Sequence, residues 1–226
     1  MNLLAIDTAA NLCAACVWDT AAGLERGRSV ADLGKGHAEH LMTTIAEALA
    51  AAGVDYAGLG MIAVSIGPGS FTGVRVGVST ARGLALALKL PATGVTTLDA
   101  IAEEARAAIP GRPALVAIEA GRGDLYLALY DPLGNLLYGP SVANLATALE
   151  IARQNSPVLA GSAARSIAEA AAAEFDVAAV SPTADIATYA RIAAGRGIPA
   201  DRPKPLYLRA PDAKPQAGFV LPRAEL

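Results

Sequence analysis

The sequence predicts an α/β protein built from two related lobes, each containing one sheet and its helices. Short apolar runs alternate with stretches of helical periodicity from residue 3 to residue 108, which is typical of a sheet connected by helices. The start of the chain also recurs near its middle, because Glu119 follows Asp7 by 112 positions and Asp131 follows Asp19 by the same number. A fixed offset indicates an internal duplication. The alternative is a chance alternation of apolar residues.

The first half of the chain carries the clearer pattern. Strands are predicted at residues 3–7, 12–19, 24–30, 61–66 and 92–95, and helices at 37–52, 74–88 and 98–108. Each strand is a short apolar run bounded by turn residues, such as Gly23 after the second strand. The helices repeat apolar residues every three or four positions. A meander of strands therefore comes first, and helices and strands alternate after it.

The second half repeats this order after an interruption. Pro110, Gly111 and Pro113 end the first pattern, so the predicted lobes are residues 1–109 and 114–210. Strands follow at 116–119, 125–130 and 135–139, and helices at 145–154 and 166–174. From Pro203 the chain is rich in Pro and Lys and has few large apolar residues. We expect this end to wrap or fray rather than fold alone, with residues 211–226 as a tail.

Composition excludes several classes of protein. The 226 residues carry 18 Lys and Arg against 21 Asp and Glu, a net charge of −3, so nucleic acid is not held mainly by a broad basic face. Any role on RNA is then shared with partner proteins. Glycines interrupt the uncharged stretch 56–74, which argues against a membrane span. The segment before Asp7 contains no Lys or Arg, so no secretory signal is predicted and a cytoplasmic location is expected.

Both cysteines of the chain lie in one apolar run. Cys13 and Cys16 have the spacing of a redox pair or of half a zinc site. The run 12–18 is predicted to be a strand, in which positions three apart point to opposite faces. Neither a disulfide nor a shared metal fits that geometry, so we interpret both residues as core cysteines.

The strongest local motif is a glycine-rich loop between an apolar strand and a helix. It contains Gly67, Pro68, Gly69, Ser70, Phe71, Thr72, Gly73 and Arg75. Glycines allow a sharp turn and leave backbone N–H groups open, which at a helix N-terminus favours an anion. The usual phosphate fingerprints are absent, because the loop has no Lys and its third glycine falls one place late. An anion site and a structural turn are therefore both open.

Each predicted lobe opens with a strand that ends in a carboxylate. This arrangement resembles the actin, hexokinase and Hsp70 architecture, a duplicated ribonuclease H-like (ASKHA) fold in which two acids face a nucleotide and its metal. The corresponding residues here are Asp7, Thr8, Glu119 and Gly121. Only the second loop retains a glycine, and Ala9 would crowd a phosphate in the first. The sequence favours a degraded nucleotide cleft over a working one, and no cofactor is predicted.

The two histidines of the chain, His37 and His40, lie on one predicted helix. Imidazoles three positions apart can bind one metal ion, and solvated residues at a helix start are the alternative. No third ligand is evident in the sequence, so no metal site is predicted. No Gly-x-Ser-x-Gly motif of a serine hydrolase occurs either.

Several motifs together resemble the TsaB (YeaZ) family of bacterial tRNA threonylcarbamoyladenosine biosynthesis proteins. They are residues 4–8, the loop 67–77, residues 81–85 and Pro205-Leu206-Tyr207-Leu208-Arg209. The likeness runs from residue 3 to about residue 209, and Gly-Pro-Gly-Ser-Phe-Thr-Gly is its most specific part. The resemblance implies an actin-like fold of two lobes. It also implies a role in placing threonylcarbamoyl on the adenosine beside the anticodon of certain tRNAs.

TsaB-like proteins are similar to TsaD, the catalytic subunit of that pathway, whose metal-binding histidines lie on the helix after a short strand. The matching positions here are Thr97 and Ile101. A hydroxyl is a poor metal ligand and an aliphatic side chain is none, so the resemblance implies a protein without the catalytic metal. The family's segment Asp-Ala-Arg-x-x-Glu-Val-Tyr is altered at residues 119–126, with one extra residue before Arg122.

We therefore expect a non-catalytic scaffold subunit that binds a TsaD-like catalytic subunit, with a TsaE-like ATPase joining the assembly. tRNA would reach it only indirectly, through that complex, and the free protein is expected to be a homodimer. The predicted contact residues on the first two helices are Ala38, Leu41, Met42, Ile45, Val78, Ala81, Arg82 and Ala85. The rival expectation is an enzyme in its own right, either an ATP-dependent group transferase or a glycoprotease-like metalloenzyme.

Overall fold

The computed structural model describes residues 1–198 and 201–209, and in that part of the chain it contains two five-stranded sheets. The first sheet is formed by β1 to β5, which are Asn2–Asp7, Leu12–Asp19, Leu24–Asp32, Leu59–Ser65 and Ala92–Val95. Its helices are α1 (His37–Ala52), α2 (Phe71–Leu88) and α3 (Thr97–Ala108), with a short 3-10 helix at Tyr56–Gly58. These elements follow the order that the sequence predicts.

The second sheet is formed by β6 to β10, which are Ala114–Gly121, Asp124–Tyr130, Leu136–Asn144, Val158–Ala160 and Val177–Ala179. Its helices are α4 (Leu145–Asn155), α5 (Ala164–Ala171) and α6 (Ile186–Arg196). β9, β10 and α6 were not predicted from the sequence. The two strands have three residues each, which is too short for a periodic pattern. The buried residues of α6 are Ile186, Thr188, Tyr189, Ala190 and Ala193, so only two of the five are large and one is polar, which weakens the helical pattern.

The two sheets have the same strand order. Neighbouring strands are β3-β2-β1-β4-β5 in the first sheet and β8-β7-β6-β9-β10 in the second. In each sheet the first strands of the lobe form an antiparallel meander. The remaining strands join in parallel. The common topology confirms the prediction of a duplicated α/β fold.

The helices lie in two outer layers and one shared layer. α1 and α2 cover one face of the first sheet, and α4 and α5 cover one face of the second. Although α6 is the last helix of the described residues, it packs on β1 and β2, while α3 packs on β6 and β9. The apolar core between the two sheets includes Leu98 of α3 and the fully buried Tyr189 of α6. Each lobe therefore contributes a helix to the sheet of the other.

The two cysteines occupy different cores. Cys13 is buried in the core beneath α1 and α2, and Cys16 is buried in the core between the sheets. Both lie on β2, so the prediction of opposite faces is confirmed. Removal from water raises the pKa of both thiols.

In the described part of the chain, no helix has the length and apolar content needed to cross a bilayer. The longest of these helices, α2, has 18 residues and carries Arg75 and Arg82. The predicted tail, residues 211–226, lies outside the described residues.

Candidate functional site

The carboxylate at the end of β1 is enclosed by the protein. Asp7 is 1% exposed, and its Oδ1 accepts hydrogen bonds from the Ala9 backbone N–H at 2.9 Å and from the Ser65 hydroxyl. Its Oδ2 accepts a hydrogen bond from the Thr183 hydroxyl at 2.6 Å. These donors come from the turn after β1, the end of β4 and the segment before α6. Asp7 therefore joins three parts of the molecule and presents no open oxygen to a ligand.

Burial also changes the titration of Asp7. Removal from water raises the pKa of this carboxyl above its ordinary value of 3.8. The hydrogen bonds from Ser65, Thr183 and Ala9 and the charge of His37 act in the opposite direction without cancelling the effect. The Thr183 hydroxyl also lies 2.7 Å from the Tyr189 hydroxyl. A buried polar network thus connects the first sheet to α6.

The turn that follows Asp7 is covered by α2. Thr8 is fully buried, and its hydroxyl donates to the Gly73 carbonyl oxygen at 2.7 Å. A Cβ placed on Gly69 would lie 2.2 Å from the Ala9 carbonyl oxygen. A Cβ on Gly73 would lie 2.1 Å from the Thr8 carbonyl oxygen, and one on Gly77 would lie 2.5 Å from the Thr8 hydroxyl oxygen. These three glycines, spaced four positions apart, allow α2 to approach the turn closely.

Several polar groups of the glycine-rich loop form hydrogen bonds within the chain. The Ser70 hydroxyl caps α2 by accepting from the Gly73 N–H at 3.2 Å, and the Ser70 N–H donates to the Ala9 carbonyl at 2.7 Å. Gly67 has a φ of +85°, which residues with a side chain rarely adopt. Its carbonyl accepts from the Thr97 N–H at 2.8 Å. Of the two alternatives for this loop, these contacts favour the structural turn over the anion site.

The equivalent end of β6 is open to solvent. Glu119 is exposed, and its backbone N–H donates to the Ser162 hydroxyl at 2.9 Å. Arg122 and Gly123 form the tip of the hairpin to β7 with φ of +57° and +81°, as in a type I′ turn. The altered segment 119–126 is therefore a tight hairpin. Beside it lies a cavity of about 400 Å³, whose walls include Glu119, Gly121, Leu125, Leu145 and Ile167.

The two carboxylates are not equivalent in the fold. Asp7, Thr8, Glu119 and Gly121 were predicted from the sequence to be the loops of a degraded nucleotide cleft. In the structure Asp7 and Thr8 are 1% and 0% exposed. Glu119 and Gly121 are exposed. A symmetrical pair of phosphate loops is not formed.

The end of the described chain, residues 203–209, forms a strap between the lobes. The Leu206 N–H donates to the Ile66 carbonyl at 2.8 Å, and the Tyr207 hydroxyl accepts from Arg75 Nε at 2.8 Å. Arg209 donates to the Ala120 carbonyl at 3.0 Å and also pairs with Asp124 of the second lobe. The sequence analysis assigned no role to these side chains, although their motif stood among the family-like segments. The strap wraps rather than frays, in line with one of the two expected outcomes.

The histidines and the positions that match metal ligands do not form a cluster. His37 is 7% exposed, whereas His40 is exposed. Thr97 and Ile101 are 0% and 1% exposed, and Ile101 belongs to the core between the sheets. Within residues 1–198 and 201–209, no three His, Cys, Asp or Glu side chains stand close enough to hold a metal ion.

The predicted contact residues on α1 and α2 divide into two sets. The set that packs inward, against the first sheet, consists of Leu41, Ile45, Val78 and Ala81. The structure corrects the prediction for these four, because each helix buries its apolar stripe in the chain's own core. Ala38, Met42 and Arg82 are exposed, and Ala85 is half-buried. Met42, which is 48% exposed, is the large apolar side chain on the outer face of α1.

Comparison with known sequences places this geometry in a family. Residues 31–198 match the TsaD family, described as tRNA N6-adenosine threonylcarbamoyltransferase. The chain is 34% identical to the tRNA threonylcarbamoyladenosine biosynthesis protein TsaB of Escherichia coli over 131 residues, which is 58% of this chain and 55% of that protein. It is 35% identical to an uncharacterized protein of Mycobacterium tuberculosis over 226 aligned positions, covering 96% of this chain and 95% of that one.

Comparison with solved structures agrees with the topology. A Pseudomonas aeruginosa protein described as similar to peptidase YEAZ superposes with a TM-score of 0.74 at 25% identity, over 92% of this chain and 99% of that chain. YeaZ from the same organism gives 0.73 at 24% identity, with the same coverage. The ethanolamine utilization protein EutJ from Carboxydothermus hydrogenoformans gives 0.53 at 13% identity, over 84% and 90% of the chains, which concerns the fold alone. The fold is the predicted two-lobe actin-like fold.

Proposed function

Because the chain belongs to the TsaD domain family and, within it, to the TsaB (YeaZ) family, we propose that it acts in the synthesis of threonylcarbamoyladenosine in tRNA. Its role in this proposal is that of a non-catalytic subunit, which holds a TsaD-like catalytic subunit in its active arrangement. A TsaE-like ATPase would join the same assembly. The alignment with the E. coli TsaB spans about half the length of that relative, so activity, substrate and partners are all part of the proposal.

The observation that carries the proposal is that α2 packs directly on the turn after β1 and leaves no space there for a ligand. In an actin-like nucleotidase this turn would have to admit a phosphate, but here the glycines of α2 bring Gly73 against Thr8. Asp7 accepts hydrogen bonds from three groups of the chain and has no exposed oxygen to offer a metal-bound nucleotide. Thr97 and Ile101 likewise supply no metal ligands. The first lobe therefore serves as a scaffold in this proposal.

The partner in this proposal docks on the outer face of α1 and α2. Ala38 and Ala46 are small and exposed, so a helix of the partner can approach α1 closely. Met42 supplies exposed apolar area between them. In the absence of the partner, a second copy of the chain covers the same face, because apolar area tends to be covered. Buried Leu41 and Ile45 support this face from beneath.

The test of the docking face is Met42→Asp. A carboxylate at this position would be buried without a partner in the complex, so we expect binding to a TsaD-like subunit of the same organism to weaken about tenfold or more. Self-association, followed by sedimentation, should weaken with it. The matched control is Leu133→Asp, at an 84% exposed position between β7 and β8, which should change neither. If Met42→Asp binds the partner with full affinity, the docking face is elsewhere.

A second measurement separates the scaffold from an enzyme. The isolated chain should hydrolyse ATP no faster than background and should transfer nothing to tRNA. Stoichiometric iron or zinc together with turnover in the isolated chain would instead establish the rival function, a group transferase or a glycoprotease-like metalloenzyme. The same assay with the TsaD-like subunit added should recover transfer.

A further inference from the structure

The positive charge of this protein is distributed unevenly along the chain. No Asp or Glu occurs between Asp55 and Asp99, while this stretch contains Arg75, Arg82 and Lys89. These cations are spaced seven residues apart on α2 and its C-terminal cap, so they lie on one side of the helix at intervals of about 10 Å. The helix therefore presents a line of positive charges, and residues 56–98 contain no acidic side chain that could neutralise it.

This side of α2 faces the strap and the residues that lead into it. Arg75 donates to the Tyr207 hydroxyl at 2.8 Å. Arg82 and Lys89 line a cavity of about 330 Å³ together with Arg202. Lys204 is a further exposed cation in this segment. We call this surface the basic face and define it as Arg75, Arg82, Lys89 and Arg202.

The basic face differs from the other arginine-rich parts of the surface. Six arginines elsewhere are neutralised by carboxylates, since each forms an ion pair with an Asp or Glu: Arg28, Arg106, Arg112, Arg191, Arg196 and Arg209. Within residues 1–198 and 201–209, no ion pair involves a member of the basic face. The single acid that lines the same cavity is Asp201. A protein with a net charge of −3 thus carries a local surface with a positive excess.

Exposed aromatic rings lie at one end of the basic face. Phe71 is 45% exposed and Tyr207 is 48% exposed, and their ring centroids are 5.4 Å apart. The Arg75 guanidinium lies 3.7 Å from the Phe71 ring centroid, so the three side chains hold one another in place. Cations that follow a groove, interleaved with rings on which bases can stack, are the features of surfaces that bind single-stranded nucleic acid.

We propose that the basic face binds the phosphate backbone of RNA directly, with Phe71 and Tyr207 as the stacking surface for bases. The inference rests on the proposed function only for its choice of tRNA as the natural RNA. It revises the expectation that RNA reaches this protein through partners alone. It also assigns Arg82, a predicted partner contact, to RNA. Met42 of the docking face lies on α1, whereas the cations of the basic face lie on α2, at its C-terminal cap and in the segment before the strap.

The test measures RNA binding to the full chain by fluorescence anisotropy, first with labelled oligouridine and then with a tRNA transcript. The variant Arg82→Gln/Lys89→Gln removes two cations of the basic face. We expect about a tenfold weaker affinity at moderate salt and a slope of log affinity against log salt that is smaller by about 1.4, since each lost contact to a single strand removes about 0.7. The matched control is Arg153→Gln/Arg165→Gln, which removes two exposed cations from α4 and α5. It should stay within about threefold of the wild type.

The outcomes separate this inference from the proposed function. The inference would be overturned if the variant and the wild type bound RNA with equal affinity. It would also be overturned if the wild type bound no RNA either alone or in complex with the TsaD-like subunit. A variant that loses the partner protein while its RNA affinity is unchanged would overturn it too, because the basic face would then bind an acidic protein surface. Failure of Met42→Asp to weaken partner binding would overturn only the docking face. Loss of RNA affinity in Phe71→Ala, at unchanged salt slope, would further support stacking.

Discussion

The ends of β1 and β6 occupy equivalent places in two lobes of the same topology, yet their surroundings are opposite. At the end of β1, Asp7 is buried and accepts hydrogen bonds from three groups. At the end of β6, Glu119 is exposed beside a cavity. The difference arises from the elements that cover each strand end. In the first lobe, the glycines of α2 allow this helix to pack directly on the turn after β1. In the second lobe, the equivalent strand end leads into a tight hairpin that is exposed to solvent.

This comparison shows that duplication preserved strand order without preserving a site. Strand order depends on the apolar pattern of each half, which both lobes retain. Access to a strand end depends instead on single close contacts, such as that between Gly73 and Thr8. The first lobe is expected to be sensitive to small changes at Asp7 and Gly73, whereas the second lobe is expected to tolerate them at the exposed Glu119.

The largest expected effect is that of Gly73→Ala. The new Cβ would lie 2.1 Å from the Thr8 carbonyl oxygen, so α2 or the turn must move. We expect a loss of about 3 kcal/mol in the free energy of unfolding, measured by chemical denaturation. The control is Gly83→Ala on the exposed side of the same helix, where nothing lies within 4 Å of the added Cβ. It should stabilise by about 0.5–1 kcal/mol. Similar results for both variants would mean that α2 does not seal the turn.

The next effect compares the two carboxylates directly. Asp7→Ala leaves the Ser65 and Thr183 hydroxyls and the Ala9 N–H without their acceptor in a buried site. We expect a loss of about 2–3 kcal/mol from these unsatisfied donors. Glu119→Ala, at an exposed position, should change stability by less than about 0.5 kcal/mol. If Asp7→Ala and Glu119→Ala lost equal stability in thermal denaturation, the two carboxylates would have equivalent surroundings in solution.

The pH dependence of stability sharpens the same comparison. Because burial raises the folded-state pKa of Asp7 above 3.8, the folded protein binds this proton more tightly than the unfolded chain. The contribution of Asp7 is therefore fully present below about pH 4 and decreases as the pH rises through the folded-state pKa. The stability of the wild type relative to Asp7→Asn should fall over this range. If the stability of the wild type relative to Asp7→Asn increased with pH instead, the hydrogen bonds to Asp7 would outweigh the effect of burial on its pKa.

The smallest effect concerns the strap that connects the lobes. Arg209→Ala removes the ion pair between Arg209 and Asp124. The side chain of Arg209 is 25% exposed and that of Asp124 is 41% exposed. Such pairs contribute about 0.2–1 kcal/mol, so global stability should change little. Hydrogen exchange at the Leu206 N–H should nevertheless become faster, because that residue is held between the lobes. Tyr207→Phe, which removes the hydrogen bond to Arg75 at the other end, is the matched variant. If neither variant changes exchange at Leu206, the strap does not depend on its end contacts.

Local periodicity was sufficient for much of the fold. The meander, the order of helices and strands up to α3, and the repeated start of the second lobe all follow from runs longer than three residues. The opposite faces of Cys13 and Cys16 follow from the two-residue period of a strand. The bounds differ most at β8, which continues to Asn144 rather than ending at residue 139, and at α2, which begins at Phe71 after the Ser70 cap rather than at residue 74. β9 and β10 are too short to carry a comparable local signal.

The sequence by itself determined that this protein is a duplicated α/β chain with a carboxylate at the end of the first strand of each lobe and a glycine-rich strand-to-helix turn. Only the tertiary structure decided which carboxylate is buried, since Asp7 meets Ser65 and Thr183 across 58 and 176 positions of the chain. It also decided why the loop needs glycine, which is close approach to Thr8 and Ala9, and it brought Arg202 beside the cations of α2. Periodicity records which side of an element is apolar. It does not record which distant element will cover that side, because the covering contact depends on packing between residues that are far apart in sequence.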